Sequence, residues 1–208
     1  MSMPAPVLGA LHDRRVFRGG QALAGGLPVT ASGFAALDAV LPGGGFPRGA
    51  LTELLLAAPG LGEMELLAAS WARLSERERI VCIAPPWVPY APALVAAGIR
   101  LERFAWIETD RPDQAAWAAE QALRAGCVGA VALWTDAGEQ RCLRRLQLAA
   151  AEGGGHGFVL RPARHAAQPS PAALRLLLEP AQEQLCVRVL KCRGSMLPAD
   201  ALRRARVA

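Results

Sequence analysis

The sequence predicts an α/β fold in which a mainly parallel, twisted sheet is flanked by helices on both faces and ends in an antiparallel hairpin. Three observations lead to this fold class. Strand-like and helix-like segments alternate five times, a pattern typical of parallel strands joined by right-handed crossovers. The segment Val128 to Thr135 is almost entirely apolar, as expected for a strand covered on both faces. Two strand-like segments joined by a short polar turn then follow, Leu174 to Leu178 and Leu185 to Leu190, and they predict the hairpin.

The length and composition predict one substantial domain with an aliphatic interior. The chain has 208 residues, of which 52% are hydrophobic and only 5% aromatic, which suits a single core. We expect a flexible segment with a short basic helix over residues 1–29, the α/β domain over residues 30–194 and a basic tail over residues 195–208, in which residues 199–208 can form a helix. No apolar run is long enough to cross a bilayer and the start has no signal-peptide pattern, so we expect a cytoplasmic protein without membrane contact.

Charge and cysteine usage narrow the classes of partner and cofactor. The net charge is +5, and residues 136–208 carry 12 basic against 6 acidic side chains. This surplus favours an acidic partner or nucleic acid. The five cysteines form no C-x-x-C pair and there are three histidines, so we predict no metal site, no disulfide framework and no cofactor, with the cysteines acting as small buried hydrophobes.

The first elements surround a glycine-rich run. Ser32 is a good N-cap for a helix over Gly33 to Leu41, with Phe34 and Leu37 on its apolar face. Gly25 to Ala31 before it is typical of a linker, and the run Pro42 to Gly49 after it is typical of a turn.

A strand, a small turn and a helix come next. The apolar run Leu51 to Leu56 predicts the strand. The helix runs from Gly62 to Ser75 with one broad apolar stripe, made of Leu66, Leu67, Ser70, Trp71 and Leu74.

The remaining elements are bounded by proline and glycine. They are a strand over Arg79 to Ala84, a helix over Ala93 to Gly98, a strand over Phe104 to Glu108, a helix over Pro112 to Ala125 with Trp117 and Leu123 among its apolar positions, a helix from Asp136 to Glu152 with Leu143 and Leu146 turned inward, and a strand over Phe158 to Arg161.

The stretch Gly49 to Leu66 has the outline of a phosphate-binding loop between a strand and a helix. A working loop ends in G-K-[ST], where the lysine neutralises phosphates and the hydroxyl holds magnesium. Here Gly62 is followed by Glu63 and Met64. A carboxylate about 4 Å from a phosphate opposes it by roughly 4 kcal/mol. We therefore interpret Gly60, Gly62, Glu63 and Met64 as a vestigial nucleotide loop and predict a protein that is not an enzyme.

Ligands of such sheets bind beyond the carboxyl ends of the strands. In this chain those ends are Ala57 to Gly62, Pro85 to Trp87, Trp134 to Asp136 and Arg161 to Pro171. We expect them to lie along one edge of the sheet.

Several motifs resemble the RecA recombinase core from about residue 30 to residue 194. They are S-G-F-A-A-L-D (Ser32 to Asp38) and G-G-G-F-P-R-G (Gly43 to Gly49), followed by the strand and loop. Against that family the loop lysine and threonine are replaced, Pro85 and Pro86 stand where an acidic base is carried, and the magnesium aspartate gives way to Trp134. The resemblance thus implies a RecA-like domain without ATPase activity.

A more specific resemblance is to the ImuA family of RecA-like accessory proteins. It rests on L-P-G-G-G-F-P-R-G-A-L-T-E-L-L-L, I-A-P-P-W-V-P-Y-A-P-A-L, W-A-A-E-Q-A-L-R-A-G, L-R-R-L-Q-L-A-A and G-F-V-L-R-P. It implies a role in SOS-induced, error-prone translesion synthesis through contacts with an ImuB-type polymerase homologue, RecA and a C-family error-prone polymerase. The cell-division inhibitor SulA is similar to the second half, which leaves inhibition of FtsZ as the alternative.

The resemblance also points to contact residues, each with a plainer alternative. Lys191 and Arg193 match positions where RecA presents cations toward its neighbour, so they are candidates for docking onto RecA, or form a solvated strand end. Arg161, Arg164 and His165 lie in a loop that corresponds to a DNA-contacting loop of RecA. They would attract phosphates weakly, or the loop is structural.

Two further groups are candidates for partner binding. Trp87 and Tyr90 lie in a proline-bracketed loop at the former active site, where they anchor a partner or plug the vacated pocket. The tail mixes apolar and basic side chains, as expected of a segment that orders on a partner, for which ImuB is our assignment. Its candidate residues are Leu202, Arg203, Arg204 and Arg206.

Overall fold

A computed structural model describes residues 27–41, 43–136, 139–181, 184–193 and 204–207. The helices are α1 Ala35–Asp38, α2 Glu63–Ser75, α3 Ala91–Ala96, α4 Pro112–Arg124 and α5 Gln140–Gly153. The strands are β1 Val29–Thr30, β2 Phe46–Pro47, β3 Ala50–Leu56, β4 Arg79–Ile83, β5 Phe104–Ile107, β6 Val128–Trp134, β7 His156–Pro162, β8 Leu174–Ala181, β9 Gln184–Cys192 and β10 Arg204–Val207.

The main sheet has eight strands in the order β10-β9-β8-β3-β7-β6-β4-β5. Strands β3 to β8 run parallel to their neighbours, whereas β9 is antiparallel to β8 and β10 is antiparallel to β9. This arrangement confirms the predicted fold class, including the β8–β9 hairpin.

One face of the sheet carries α1, α2 and α3. Its core centres on Trp71 of α2, whose ring lies 6.4 Å from that of Phe158 on β7. Phe46 meets Phe158 edge to face at 5.3 Å. The predicted apolar stripe of α2 is confirmed, because all of its five residues are buried.

The other face carries α4 and α5 over a second core that contains Leu123, Leu143 and Leu146. The prediction for Trp117 was wrong, since its side chain is 61% exposed. The positions of α4 that face the sheet are Ala115, Ala119 and Leu123, spaced by four residues, and Trp117 projects from the opposite side of the helix. Near the end of α5, Gly153 allows a close crossing of α4, because a Cβ there would lie 1.8 Å from the carbonyl oxygen of Leu123.

The glycine-rich approach to β3 is more ordered than predicted. The helix after Ser32 has only four residues, Ala35–Asp38. The stretches interpreted as linker and turn contain β1 and β2, which pair with each other. Phe46 supplies the reason, since its fully buried ring fixes the backbone on which β1 then pairs.

The chain ends also differ from expectation. Arg204–Val207 forms β10 on the edge of β9, so a helical tail is wrong for these residues. A strand edge offers unpaired backbone groups that an extended segment satisfies. The predicted N-terminal helix over residues 11–18, and Leu202 and Arg203 of the tail, lie outside the described residues.

The prediction that the cysteines are buried has a mixed outcome. Cys82 and Cys186 are buried as predicted, whereas Cys127 is exposed.

Within the described ranges, no helix combines the length and apolarity that crossing a bilayer requires.

Candidate functional site

Two of the strand ends singled out in the sequence, those that follow β4 and β6, meet on the α2 side of the sheet and help to form an apolar groove of about 440 Å³. It lies between the start of α2, α3 and the loop that follows β4. We call it the α2–α3 groove. Its described lining residues are Glu63, Met64, Glu65, Ala68, Pro85, Pro86, Trp87, Val88, Pro89, Tyr90, Ala93, Leu94, Ala97, Ile99 and Trp134.

The vestigial loop is closed by its own glutamate. Gly60 and Gly62 adopt positive φ angles of 81° and 100°, which glycine accepts without strain. Glu63 then begins α2 with its side chain only 2% exposed. Its Oε1 accepts the backbone N–H of Gly60 at 2.9 Å. The carboxylate therefore binds a loop N–H and sits in the favourable field of the helix N-terminus, both of which a phosphate would otherwise use.

The other positions of a nucleotide site carry no suitable chemistry. Met64 is partly buried against the first core. Pro85, Pro86 and Trp134, which the resemblance to RecA aligns with the acidic base and the magnesium aspartate, line the groove. Among the described lining residues there is no lysine, arginine, serine or threonine, so the groove offers no cation for a phosphate.

The aromatic residues of the loop after β4 lie near the vestigial loop and are exposed. Trp87 lies over the vestigial loop, because a Cβ built on Gly60 would be 3.3 Å from its ring atoms Cη2 and Cζ3. Nevertheless, Trp87 is 61% and Tyr90 72% exposed. Trp87 thus covers part of the loop, and both side chains leave apolar surface exposed to solvent.

Asp136, two positions after Trp134 at the end of β6, is engaged by His165 and Arg164. The Nε2 of His165 lies 2.8 Å from Asp136 Oδ1, and Arg164 forms an ion pair with the other oxygen. The hydrogen bond with His165, together with the charges of Arg164 and Arg161, lowers the pKa of Asp136. None of these residues lines the α2–α3 groove.

The predicted DNA contact does not fit Arg161 and His165, because both side chains are buried. Arg161 is only 1% exposed and donates to Glu53 Oε1 at 2.6 Å. His165 is also buried. A phosphate cannot reach either side chain from solvent. Arg164 is exposed, although it is already paired with Asp136.

Sequence reasoning missed the group that holds Arg161 in place. Glu53 is fully buried in β3 and accepts from Arg161 and from Arg175 Nε, the latter at 2.6 Å. Arg175 also donates to the backbone carbonyls of His165 and Ala166. One signal was available, because a lone glutamate in an otherwise apolar strand needs cationic partners in the core.

The candidate RecA-docking pair lies away from the groove. Lys191 pairs in register with Arg175, which is itself opposite Glu53 in the first half of β3. Its Nζ donates to the carbonyl of Ser170 at 2.7 Å. Partial burial and the nearby charges of Arg175 and Arg193 lower the pKa of Lys191. The side chains of Arg204 and Arg206 lie outside the description, although their backbone belongs to β10.

Comparisons with known proteins assign no family. No protein-family model matches the chain, and no curated protein matches it. A solved structure of SulA from Pseudomonas aeruginosa is similar, with a TM-score of 0.46 and 25% sequence identity. The alignment covers 53% of this chain and 97% of that one, and we draw no conclusion about function from it.

Proposed function

We propose that this chain is a non-catalytic accessory protein of SOS-induced, error-prone translesion DNA synthesis that acts in the cytoplasm through protein contacts. Its partners in this proposal are an ImuB-type relative of the Y-family polymerases and RecA, as the sequence resemblance implies. The proposal that the protein is non-catalytic rests on one observation. The backbone N–H of Gly60 donates a hydrogen bond to the buried carboxylate of Glu63.

The bound carboxylate is an obstacle to nucleotide in two ways. A phosphate would have to displace it from the Gly60 N–H, and a hydrogen bond to a charged group contributes about 1.5–3 kcal/mol. The phosphate would also be repelled by the same carboxylate, with no cation among the described lining residues to compensate. The resulting pocket suits an apolar protein surface better than a nucleotide.

Exposed aromatic residues support the adaptor part of the proposal. Trp87 and Tyr90 stand at the rim of an apolar groove, and tryptophan and tyrosine concentrate binding energy at protein interfaces. We therefore expect the groove rim to contribute to partner affinity.

Calorimetry tests the non-catalytic part. ATP and Mg²⁺ are titrated into the full chain, and we expect no heat of binding and no phosphate release. ATP turnover that disappears in a Glu63→Gln variant would contradict the proposal.

A binding assay tests the adaptor part. The full chain is passed over immobilised ImuB-type protein, RecA and FtsZ, and we expect binding to the first two. Trp87→Ala should weaken one of these complexes, whereas Trp117→Ala, at an equally exposed tryptophan on the opposite face, should not. Binding to FtsZ alone would replace the proposal with the division-inhibitor alternative.

A further inference from the structure

The α2–α3 groove contains two buried polar atoms that have no partner. They are Oε2 of Glu63 and Nε1 of Trp134, and both residues line the groove. Buried polar groups are nearly always hydrogen-bonded, and an unpaired one in an apolar setting is costly. The groove therefore has an acceptor and a donor in place for a bound group.

The charge and shape of the groove favour a cationic group attached to apolar neighbours. Glu63 and the exposed Glu65 are the charged members of its described lining, so the local charge is negative. Trp87 and Tyr90 provide aromatic faces at the rim. A guanidinium stacks on such faces and donates several hydrogen bonds to a carboxylate. An arginine flanked by apolar side chains meets all of these requirements.

The sequence of the chain itself contains such a segment. Residues 14–18 read R-R-V-F-R, and Phe17 is the only aromatic residue among the first 26. Ala31, the fifth described residue, lies beside α2, because Arg73 Nη1 donates to its carbonyl at 2.9 Å, and Gly33 packs against Ala69.

The length of the linker over residues 19–26 allows contact between the segment 14–18 and the α2–α3 groove. The eight residues from 19 to 26 span up to about 26 Å when extended. Along α2, the ten-residue rise from Arg73 to Glu63 is about 15 Å. The described chain starts near the amino ends of β3 and β7, where Thr30 contacts His156, so residues 19–26 must be nearly extended for the segment to reach the groove at the opposite ends of the strands.

We infer that the α2–α3 groove is a binding site for an arginine-bearing apolar peptide and that its occupant is the segment 14–18 of the same chain. Phe17 packs among the apolar lining, and an arginine beside it donates to the unpaired oxygen of Glu63. This inference does not depend on the proposed function, since an accessory protein and a division inhibitor would carry the same groove.

Site-specific crosslinking in the full chain tests the inference. Phe17 is replaced by the photoreactive residue p-benzoylphenylalanine, the protein is irradiated, and the crosslinked peptides are identified by mass spectrometry. We expect crosslinks to the lining segments 63–68 and 85–97 within one chain. The same probe at Val7 should give a much lower yield at these segments.

Paired charge reversals separate a specific contact from a general attraction. Arg15→Glu with Arg18→Glu should reduce the Phe17 crosslink to the yield of the Val7 probe, because both changes place carboxylates beside Glu63 and Glu65. Arg141→Glu with Arg144→Glu, on the exposed side of α5, has the same change in net charge and should leave the yield unchanged. A mixture of isotopically labelled and unlabelled chains identifies crosslinks between molecules.

Crosslinks that scatter over the surface, that join two chains, or that persist in the Arg15/Arg18 variant would overturn the inference. Nucleotide binding to the wild-type chain would instead count against the proposed function, so the two failures are distinguishable.

Discussion

A cluster of buried charges makes this molecule sensitive to the loss of single residues. Glu53 lies between Arg161 and Arg175 in a fully enclosed cluster, where one carboxylate faces two guanidinium groups. Two nitrogens of Arg161, Nε and Nη2, have no hydrogen-bond partner. The cluster therefore depends heavily on its only carboxylate, since removing one partner of a buried ion pair leaves an uncompensated charge.

We expect Glu53→Gln to lower the free energy of unfolding by about 3–5 kcal/mol. The change keeps the shape of the side chain and removes its charge, so the loss measures its interactions with the two buried guanidinium groups rather than packing. Urea denaturation gives the value. Glu65→Gln, at a surface position, is the control and should change stability by less than about 0.5 kcal/mol; a similarly small loss at Glu53 would contradict the prediction.

The buried His156 predicts how stability depends on pH. Its Nδ1 donates to the carbonyl of Pro47 and its Nε2 accepts from the Thr30 hydroxyl at 2.8 Å. Burial, with the nearby charge of Arg48, lowers the pKa of His156 from 6.5 to about 4. The unfolded chain thus binds a proton more readily between pH 6.5 and 4, and stability falls as the pH is lowered through this window.

The contribution of His156 over that window is about 3 kcal/mol. Thermal or urea unfolding at several pH values, compared between the wild type and His156→Gln, isolates it from the carboxylates that also titrate near pH 4. We expect the variant to lose less stability between pH 6.5 and 4.5. Parallel pH profiles for the two proteins would show that His156 does not carry this dependence.

At the scale of elements, the approach of α4 to α5 depends on a missing side chain. The closest point is Gly153, where a Cβ would nearly coincide with a carbonyl oxygen of α4. The adjacent Gly154 ends α5 with a φ of 73° and has open space around it. The two neighbouring glycines are therefore required for different reasons, one steric and one conformational.

We expect Gly153→Ala to destabilise the protein by about 2–3 kcal/mol, because the helices must separate. Gly154→Ala should cost about 1 kcal/mol, since alanine adopts a left-handed φ with modest strain. Urea denaturation of both variants compares the two costs. Equal losses would mean that the crossing relaxes without strain.

Periodic elements were predictable from the sequence, and elements fixed by single tertiary contacts were not. The apolar stripe of α2 and the apolar run of β6 were visible in the sequence because the residues that form them are buried. Strands β1 and β2 have two residues each and form because Phe46 is anchored in the core. The error at Trp117 arose because alanines, rather than large residues, face the sheet from α4.

The candidate site was predictable in its parts but not in its geometry. Parallel topology brings the ends of the neighbouring strands β4 and β6 together, so their grouping followed from the alternation of elements. The bond between Glu63 and Gly60 depends on one side-chain rotamer, which no sequence pattern specifies. The burial of Arg161 depends on Glu53, 108 positions away.

At the scale of the whole molecule, the sheet is open, and β5 forms one of its edges. Trp106 and Ile107 are exposed there, with no proline or lysine in the strand. Exposed apolar edge strands promote pairing between molecules. We therefore expect association of the protein at high concentration through β5.

Trp106→Lys should suppress this association, because lysine on an edge strand opposes pairing. Sedimentation velocity over a range of concentrations measures the effect, and the free energy of unfolding should change by less than about 0.5 kcal/mol. Trp117→Ala provides a control for the loss of an exposed tryptophan. A wild-type protein that stays monomeric at all concentrations would contradict the prediction.

The internal closure of the vestigial loop has a thermodynamic consequence. A protein that must bind a nucleotide to complete its loop gains stability by mass action, so its melting temperature follows the ligand concentration. Here the stabilising anion is covalently part of the chain and is always present. The folded population of this protein should therefore be the same in an energy-depleted cell as in a well-fed one.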